Sequence, residues 1–305
     1  MQAGTGGSAA SNKQNKGAWL CFFGAAHSEM KQRIFTAVVG LTLLLVVLFF
    51  FDTWFFNAAI ALLSGIAVFE IFQAAGYLKN RPLSVLCLVF VLLVPFFRTP
   101  GFNLVSRIVI LVYVLGLFAI MLYQHETTRF DTIGTVFTVS VLVPFALSSM
   151  IYMRDQFDRD GLFYIMLVFA GAWFADAGGY FIGRFFGRHK LAPKVSPHKT
   201  VEGAVGGVLF NIIFFLLMGL CYYFYQRQMG TAVEIHYLQL GLLGAVSAVI
   251  SILGDLSASL VKRQCGVKDF GTIFPGHGGV MDRFDSVLFV APFLYVALQA
   301  VTLVS

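Results

Sequence analysis

Carboxylates in apolar runs are the first residues of this chain that could do chemistry. Asp176 and Asp255 each sit inside a long apolar stretch and each leads directly into a charged segment. Glu70 sits inside another such stretch, and there a buried polar link between helices is the plainer reading. A carboxylate at the centre of a bilayer costs about 2.5–3.5 kcal/mol even on a lenient scale, so such a residue faces a cavity, a partner or a metal. The segment from Gly254 to Ser286 concentrates the pattern, with Asp255, Ser259, Lys262, Arg263, Lys268, Asp282, Arg283 and Asp285 around a turn, Pro275-Gly276-His277-Gly278-Gly279. On a helix that continues to Lys262, Asp255, Ser259 and Lys262 share one face. Asp282 and Asp285 share a face if the last helix begins there. Glycines let the backbone approach a ligand closely. Hard oxygen ligands suit Mg2+ held by one or two carboxylates plus substrate phosphates, while Lys and Arg suit phosphate oxygens. Acids and bases gathered at one membrane surface therefore point to a metal–polyphosphate complex, against the alternative of a solvated loop of mutually neutralising charges.

A second segment carries a weaker form of the same pattern. Gly179, Gly183 and Gly187 recur every four residues, a spacing that lets another helix backbone come close in lipid. Asp176 and Tyr180 fall on or beside that face. The loop that follows holds Arg188, Lys190, Lys194 and Lys199, with Pro197 fixing a turn. Anionic headgroups attract such a cluster with or without an enzyme. Ser196 or Thr200 can cap the next helix, whose first N–H groups also suit a phosphate.

The elements that must position these residues are membrane helices. The chain has 305 residues, 58% of them hydrophobic and 12% charged. A soluble domain carries about 25% charge, and half of that cannot cover a water-exposed fold. Disorder, collagen and a disulfide scaffold are excluded, and the four cysteines show no metal-binding spacing. About nine apolar runs are long enough to consider as spans: 34–51, 54–75, 83–97, 104–123, 132–152, 161–183, 203–225, 237–261 and 286–304. The third is short and interrupted by Pro95. None alternates in polarity, so helices rather than barrel strands are expected. The fold class is an all-α polytopic membrane protein. With the N-terminus in the cytoplasm and the C-terminus opposite, most of the 21 Lys and Arg lie on the cytoplasmic side, chiefly in loops 184–202 and 262–285. The net charge of +6 has the same origin. Residues 1–29 are expected to be a disordered tail, with Met30 a candidate natural start. Residues 30–160 form about five N-terminal spans, and 161–305 the catalytic region.

From Ser259 to Asp285 the chain resembles the phosphatidate cytidylyltransferase (CDP-diacylglycerol synthase) family. The residues that carry the resemblance are Ser259, Lys262, Arg263, Lys268, Asp269, Gly271, Phe274, Pro275, His277, Gly278, Gly279, Asp282, Arg283 and Asp285. Asp176, Gly183-Arg184 and Ser196-Pro197-x-Lys199-Thr200-x-Glu202-Gly203 also resemble family motifs, and Glu70 is similar to a family acid. The likeness is sharp from about 172 to 286 and loose before that. It implies nine membrane helices, a homodimer, CTP and phosphatidic acid as substrates, Mg2+, and a second, monovalent cation such as K+. It implies that Asp255, Asp282 and Asp285 hold the Mg2+. Lys262, Arg263, Lys268 and Arg283 would bind the triphosphate or lipid phosphate, with Ser259 beside them. Ser196 and Lys199 would act on a phosphate from the other loop, His277 would donate to pyrophosphate, and Asp176 would orient a cation. A bacterial inner membrane with the site facing the cytoplasm is the expected location.

Two other classes compete. A CTP-dependent polyprenol kinase would need a hydroxyl acceptor and attack at the γ-phosphate. A transporter or lipid-binding scaffold would keep its charges near the midplane rather than at a pair of surface loops. A nucleic-acid binder fails, because the basic residues are split between loops on a membrane.

Overall fold

Three helices of this chain begin where a side-chain oxygen meets the unpaired N–H groups of a first turn. Thr53 accepts from Phe55 N, Asn80 accepts from Leu83 N beside Pro82, and Thr200 accepts from Gly203 N. The computed structural model describes residues 36, 38–274 and 278–305. The expected tail, Met30 and His277 lie outside the described residues. The helices are α1 (Val38–Phe49), α2 (Trp54–Ala74), α3 (Arg81–Leu93), α4 (Asn103–Tyr123), α5 (Phe130–Phe157) and α6 (Gly161–Phe186). A two-stranded antiparallel hairpin, β1 (Lys190–Ala192) and β2 (Ser196–Thr200), follows, with Lys190 opposite Thr200 and Ala192 opposite Ser196. Then come α7 (Val201–Gln228), α8 (Tyr237–Gln264), the single turn α9 (Met281–Phe284) and α10 (Val287–Ala300).

Among the described residues five helical stretches are long and apolar enough to cross a membrane: Trp54–Ala74, Asn103–Tyr123, Phe130–Phe186, Val201–Gln228 and Tyr237–Gln264. The third runs through both α5 and α6, which a 3-10 turn at Asp158–Asp160 divides. The chain is an α-helical membrane protein. Leu104, Leu111, Leu115 and Leu122 on α4 point outward, as expected where lipid rather than water is the solvent. Phe56, Phe72, Leu147, Met150, Ile165 and Leu167 form the centre of the interior.

Three features differ from the sequence reading. The run at 83–97 is a 13-residue helix closed by a 3-10 turn at Val94–Phe96, where Pro95 removes a helix donor. The last run, expected over 286–304, is helical to Ala300 alone. Beyond it the backbone leaves the helix to pair with residues 234–236, with His236 N donating to Leu303 O at 3.0 Å and Glu234 N to Ser305 O at 2.8 Å. Loop 184–202, read from the sequence as a charged loop with a turn at Pro197, carries the β1–β2 hairpin.

Glycine governs the closest helix contact. Gly203 and Gly207 of α7 face the backbone of α6, and a Cβ at Gly207 would stand 2.6 Å from the Ala175 carbonyl oxygen. A Cβ at Gly183 would stand 2.9 Å from Thr200 Oγ1. The glycine spacing in α6 thus does what its period suggested. Gly207→Ala is expected to destabilise the protein by about 1–3 kcal/mol through overpacking. Thermal unfolding in detergent checks this, with Gly241→Ala as the control, because the nearest atom to that added methyl is 3.7 Å away.

Candidate active site

The site is built where α6, β2, α8 and the α9–α10 junction converge. A cavity of about 640 Å3 is lined by Asp176, Ser196, Lys199, Asp255, Asp282, Arg283 and Asp285, among others. Seven of the residues singled out in the sequence therefore meet in one place. Lys262 stands behind them and acts through Asp282. Ser259 is half-buried on α8, and Arg263 and Lys268 are exposed; none of the three lines the cavity. A second cavity of about 310 Å3 lies against the same acids, walled by Trp173, Asp176, Asp282, Arg283, Asp285 and Ser286.

Lys199 is held out from the hairpin into the carboxylates. Its Nζ pairs with Asp255 and lies 3.9 Å from Asp176 Oδ1. The hairpin is sewn shut at its base by Glu202. That carboxylate accepts from Arg188 N at 3.0 Å, from His189 N at 3.2 Å and meets His189 Nδ1 at 2.6 Å. Val201 N donates to His189 O, and Thr200 caps α7. Of the two candidate caps in this loop, Thr200 fills the role, and Ser196 opens β2 instead.

Two buried serines fix the three helices that carry the acids. Ser251 of α8 donates to Ala172 O of α6 at 3.1 Å. Ser286 contacts Ser251 O at 3.2 Å and Asp176 Oδ2 at 3.5 Å. Gly254 lets α8 approach the α9–α10 junction, since a Cβ there would stand 3.1 Å from Asp285 O.

Asp282 is engaged on both oxygens. Oδ1 accepts from Lys262 Nζ at 2.9 Å, and Oδ2 accepts from Phe270 N and Gly279 N, each at 2.9 Å. It ties down the loop that precedes α9. Gly278, with φ +83°, turns that loop in a conformation that a Cβ would strain and sets its backbone against Asp282. Asp285 accepts from Ser286 N at 2.8 Å. Burial, then the neighbouring Asp255 carboxylate, pushes Asp285 above the ordinary carboxylate range.

With this geometry stands a match of the cytidylyltransferase family profile to residues 31–301. The chain belongs to the cytidylyltransferase family. It is 33% identical over 276 residues to the phosphatidate cytidylyltransferase of Bacillus subtilis, covering 88% of this chain and 98% of that protein. To the phosphatidate cytidylyltransferase of Haemophilus influenzae it is 31% identical over 285 residues, covering 87% and 96%. Over 170 residues it is 38% identical to the phosphatidate cytidylyltransferase of Staphylococcus epidermidis, covering 56% and 61%.

Sequence reasoning named Tyr180, Arg184 and Glu202 only as face or motif residues and gave them no part in the site. Arg184 donates to Tyr180 OH at 2.7 Å, and both line the larger cavity; their i, i+4 spacing was the available signal. Glu202 has no spacing that betrays its partners, because two backbone N–H groups and the His189 ring reach it across a hairpin. The Lys262–Asp282 pair is nearly buried, with side-chain exposures of 12% and 4%. Removing one member of a buried pair leaves the other uncompensated. Lys262→Met is therefore expected to cost about 2–3 kcal/mol of stability, less than for a pair without other donors, because two backbone N–H groups remain on Asp282. Thermal unfolding of the single variant against Lys262→Met/Asp282→Asn checks it: the double variant should recover part of the loss.

Proposed function

We propose that this chain transfers the cytidylyl group of CTP to phosphatidic acid, giving CDP-diacylglycerol and pyrophosphate. The carrying observation is one cavity of carboxylates and cations on membrane helices, in a chain that aligns with phosphatidate cytidylyltransferases over nearly their whole length. An oxygen of the lipid phosphate forms a bond to the α-phosphorus of CTP, and the bond from that phosphorus to the bridging oxygen of the β-phosphate breaks. The nucleophile is already ionised, so no strong protein base is needed. The barrier is repulsion between two polyanions, and positioning with charge neutralisation lowers it. The larger cavity, with Ser196, Lys199 and Arg184, suits the triphosphate. The smaller one, with the exposed Trp173 at its wall, suits the lipid phosphate. Arg283 belongs to both and is placed to hold either phosphate. Arg263 and Lys268 stand at the exposed approach.

Magnesium is consistent with the donor set. The acids offer hard oxygens, and the Lys199 ammonium stands between Asp176 and Asp255 as a cation would. Mg2+ is commonly held by one or two carboxylates, with substrate phosphates completing its shell. Asp255 and Asp285 are the best placed to hold it, with Asp176 beside them and Asp282 once Lys262 yields an oxygen. Bound there, Mg2+ would neutralise phosphate oxygens and steady the leaving pyrophosphate. The family resemblance also supports a monovalent cation such as K+, a homodimer, and His277 near the pyrophosphate. The apolar runs of the sequence support nine spans, and the charge asymmetry of the loops supports a cytoplasmic N-terminus with the site on the cytoplasmic face; the bacterial relatives support an inner membrane.

Purified protein given Mg2+, phosphatidic acid and CTP labelled at the α-phosphate should place label in lipid, and Asp255→Asn should lose at least most of it. Label from the γ-phosphate appearing on a polyprenol, with none from the α-phosphate on phosphatidic acid, would move the chain to a kinase reading. A proton on Asp285 competes with a cation, so Mn2+ affinity should rise from about pH 6 to about pH 8. Electron paramagnetic resonance without CTP measures this free of the nucleotide's own titration. Affinity that is flat or falls with pH would remove Asp285 from the cation's shell.

A further inference from the structure

Glu70 has no part in the chemistry above, yet it is 1% exposed and lies in α2, in the N-terminal half of the chain. Its oxygens accept from Val280 N at 3.0 Å and Met281 N at 2.8 Å, across 210 and 211 residues of sequence. Gly271 and Gly279 lie flat against the carboxylate, and a Cβ at either would overlap it. The same turn is held from its other side by Asp282, through Phe270 N and Gly279 N. Two carboxylates thus bracket one loop, and that loop leads directly into Asp282, Arg283 and Asp285.

A mere packing link between α2 and this loop would be served by an apolar residue, at no desolvation cost. A buried carboxylate is tolerable here because two successive backbone N–H groups, of Val280 and Met281, converge on it. The glycines complete the fit by admitting the carboxylate to within contact of the backbone. The loop is shaped around Glu70.

We propose that Glu70 is a positioning residue for cytidylyl transfer. It fixes the peptide planes of Gly279–Met281 and so aims Asp282, Arg283 and Asp285 into the cavity. The N-terminal half of the chain thereby completes the active site rather than merely anchoring it. The proposal rests on the cytidylyl-transfer reading, and its effect on the loop can be read without turnover.

The test uses the full chain in lipid nanodiscs, as wild type, Glu70→Gln, Glu70→Asp and Gly279→Ala. Hydrogen–deuterium exchange without substrate reads the hold on the loop: peptides covering 278–284 should exchange faster in Glu70→Gln, with α4 and α5 unchanged. Steady-state kinetics read the aim. In Glu70→Gln kcat should fall about ten- to a hundredfold, the range expected for losing a charge-assisted hydrogen bond, while KM for CTP and for phosphatidic acid stays near wild type. Glu70→Asp should fall between the two. Gly279→Ala disturbs the same contact from the loop side and should reproduce the split if Glu70→Gln does not fold. Wild-type kcat in a folded Glu70→Gln overturns the proposal. So does activity lost only in proportion to protein unfolded, or failure of both Glu70→Gln and Gly279→Ala to fold, since each makes Glu70 a stability residue. Inactive wild type with the exchange pattern intact would count against the transfer reading and leave the hold of Glu70 on the loop standing.

Discussion

A carboxylate on a helix surrounded by hydrocarbon must find its compensation inside the protein, and most of this site follows from that constraint. Asp176 and Asp255 come from helices that share no loop. They meet because one ammonium, Lys199, reaches both. Lys199 can be there only if the chain between α6 and α7 turns back into the bundle, so the segment is a hairpin whose ends are tied by Glu202 and Thr200 rather than a free cytoplasmic loop. Asp282 follows the same rule with other partners, one ammonium and two backbone N–H groups. Glu70 follows it with backbone alone.

Close approach of helices is the second condition. The acids of α6 and the hairpin before α7 can share a cavity because glycines on both helices remove the side chains that would hold the backbones apart. In lipid no hydrophobic force drives two helices together, so close packing of small residues is what remains. The glycine face and the polar face are therefore one design: the first brings α7 near enough for the second to close.

Much of this was legible in the sequence. The four-residue glycine period, the continuation of α8 past Lys262 and the apolar runs all express local rules, and the structure follows them. The motif from Ser259 to Asp285 pointed to the segment that brings Asp282, Arg283 and Asp285 to the cavity wall. What escaped has a common physical character. Hairpin β1–β2 is short, lacks alternation, and is stabilised by Glu202 rather than by its own side chains. The early end of α10 depends on pairing with residues 234–236, about sixty-five positions away. Asp282 carries the pattern of a metal ligand, but its N–H and Lys262 partners are visible only once the loop has folded. Long-range partners of backbone groups leave no spacing to read.

The balance of charge around the cavity bears on why acids are there at all. A polyanion would be drawn most strongly to an entirely basic pocket, and loops 184–202 and 262–285 have enough Lys and Arg to make one. Instead the bases nearest the acids are largely spent on them: Lys199 on Asp176 and Asp255, Lys262 on Asp282. Such a site is nearly neutral by itself and offers a polyphosphate little net attraction. On the proposed reading, a cation held by Asp255 and Asp285 would offset the carboxylate charge and leave Lys199 available to a phosphate. Metal and nucleotide binding would then be coupled through Lys199, because the same ammonium serves both the carboxylates and a phosphate. The pairs that Lys199 and Lys262 make keep these charges compensated within the protein, as a site beside membrane helices requires.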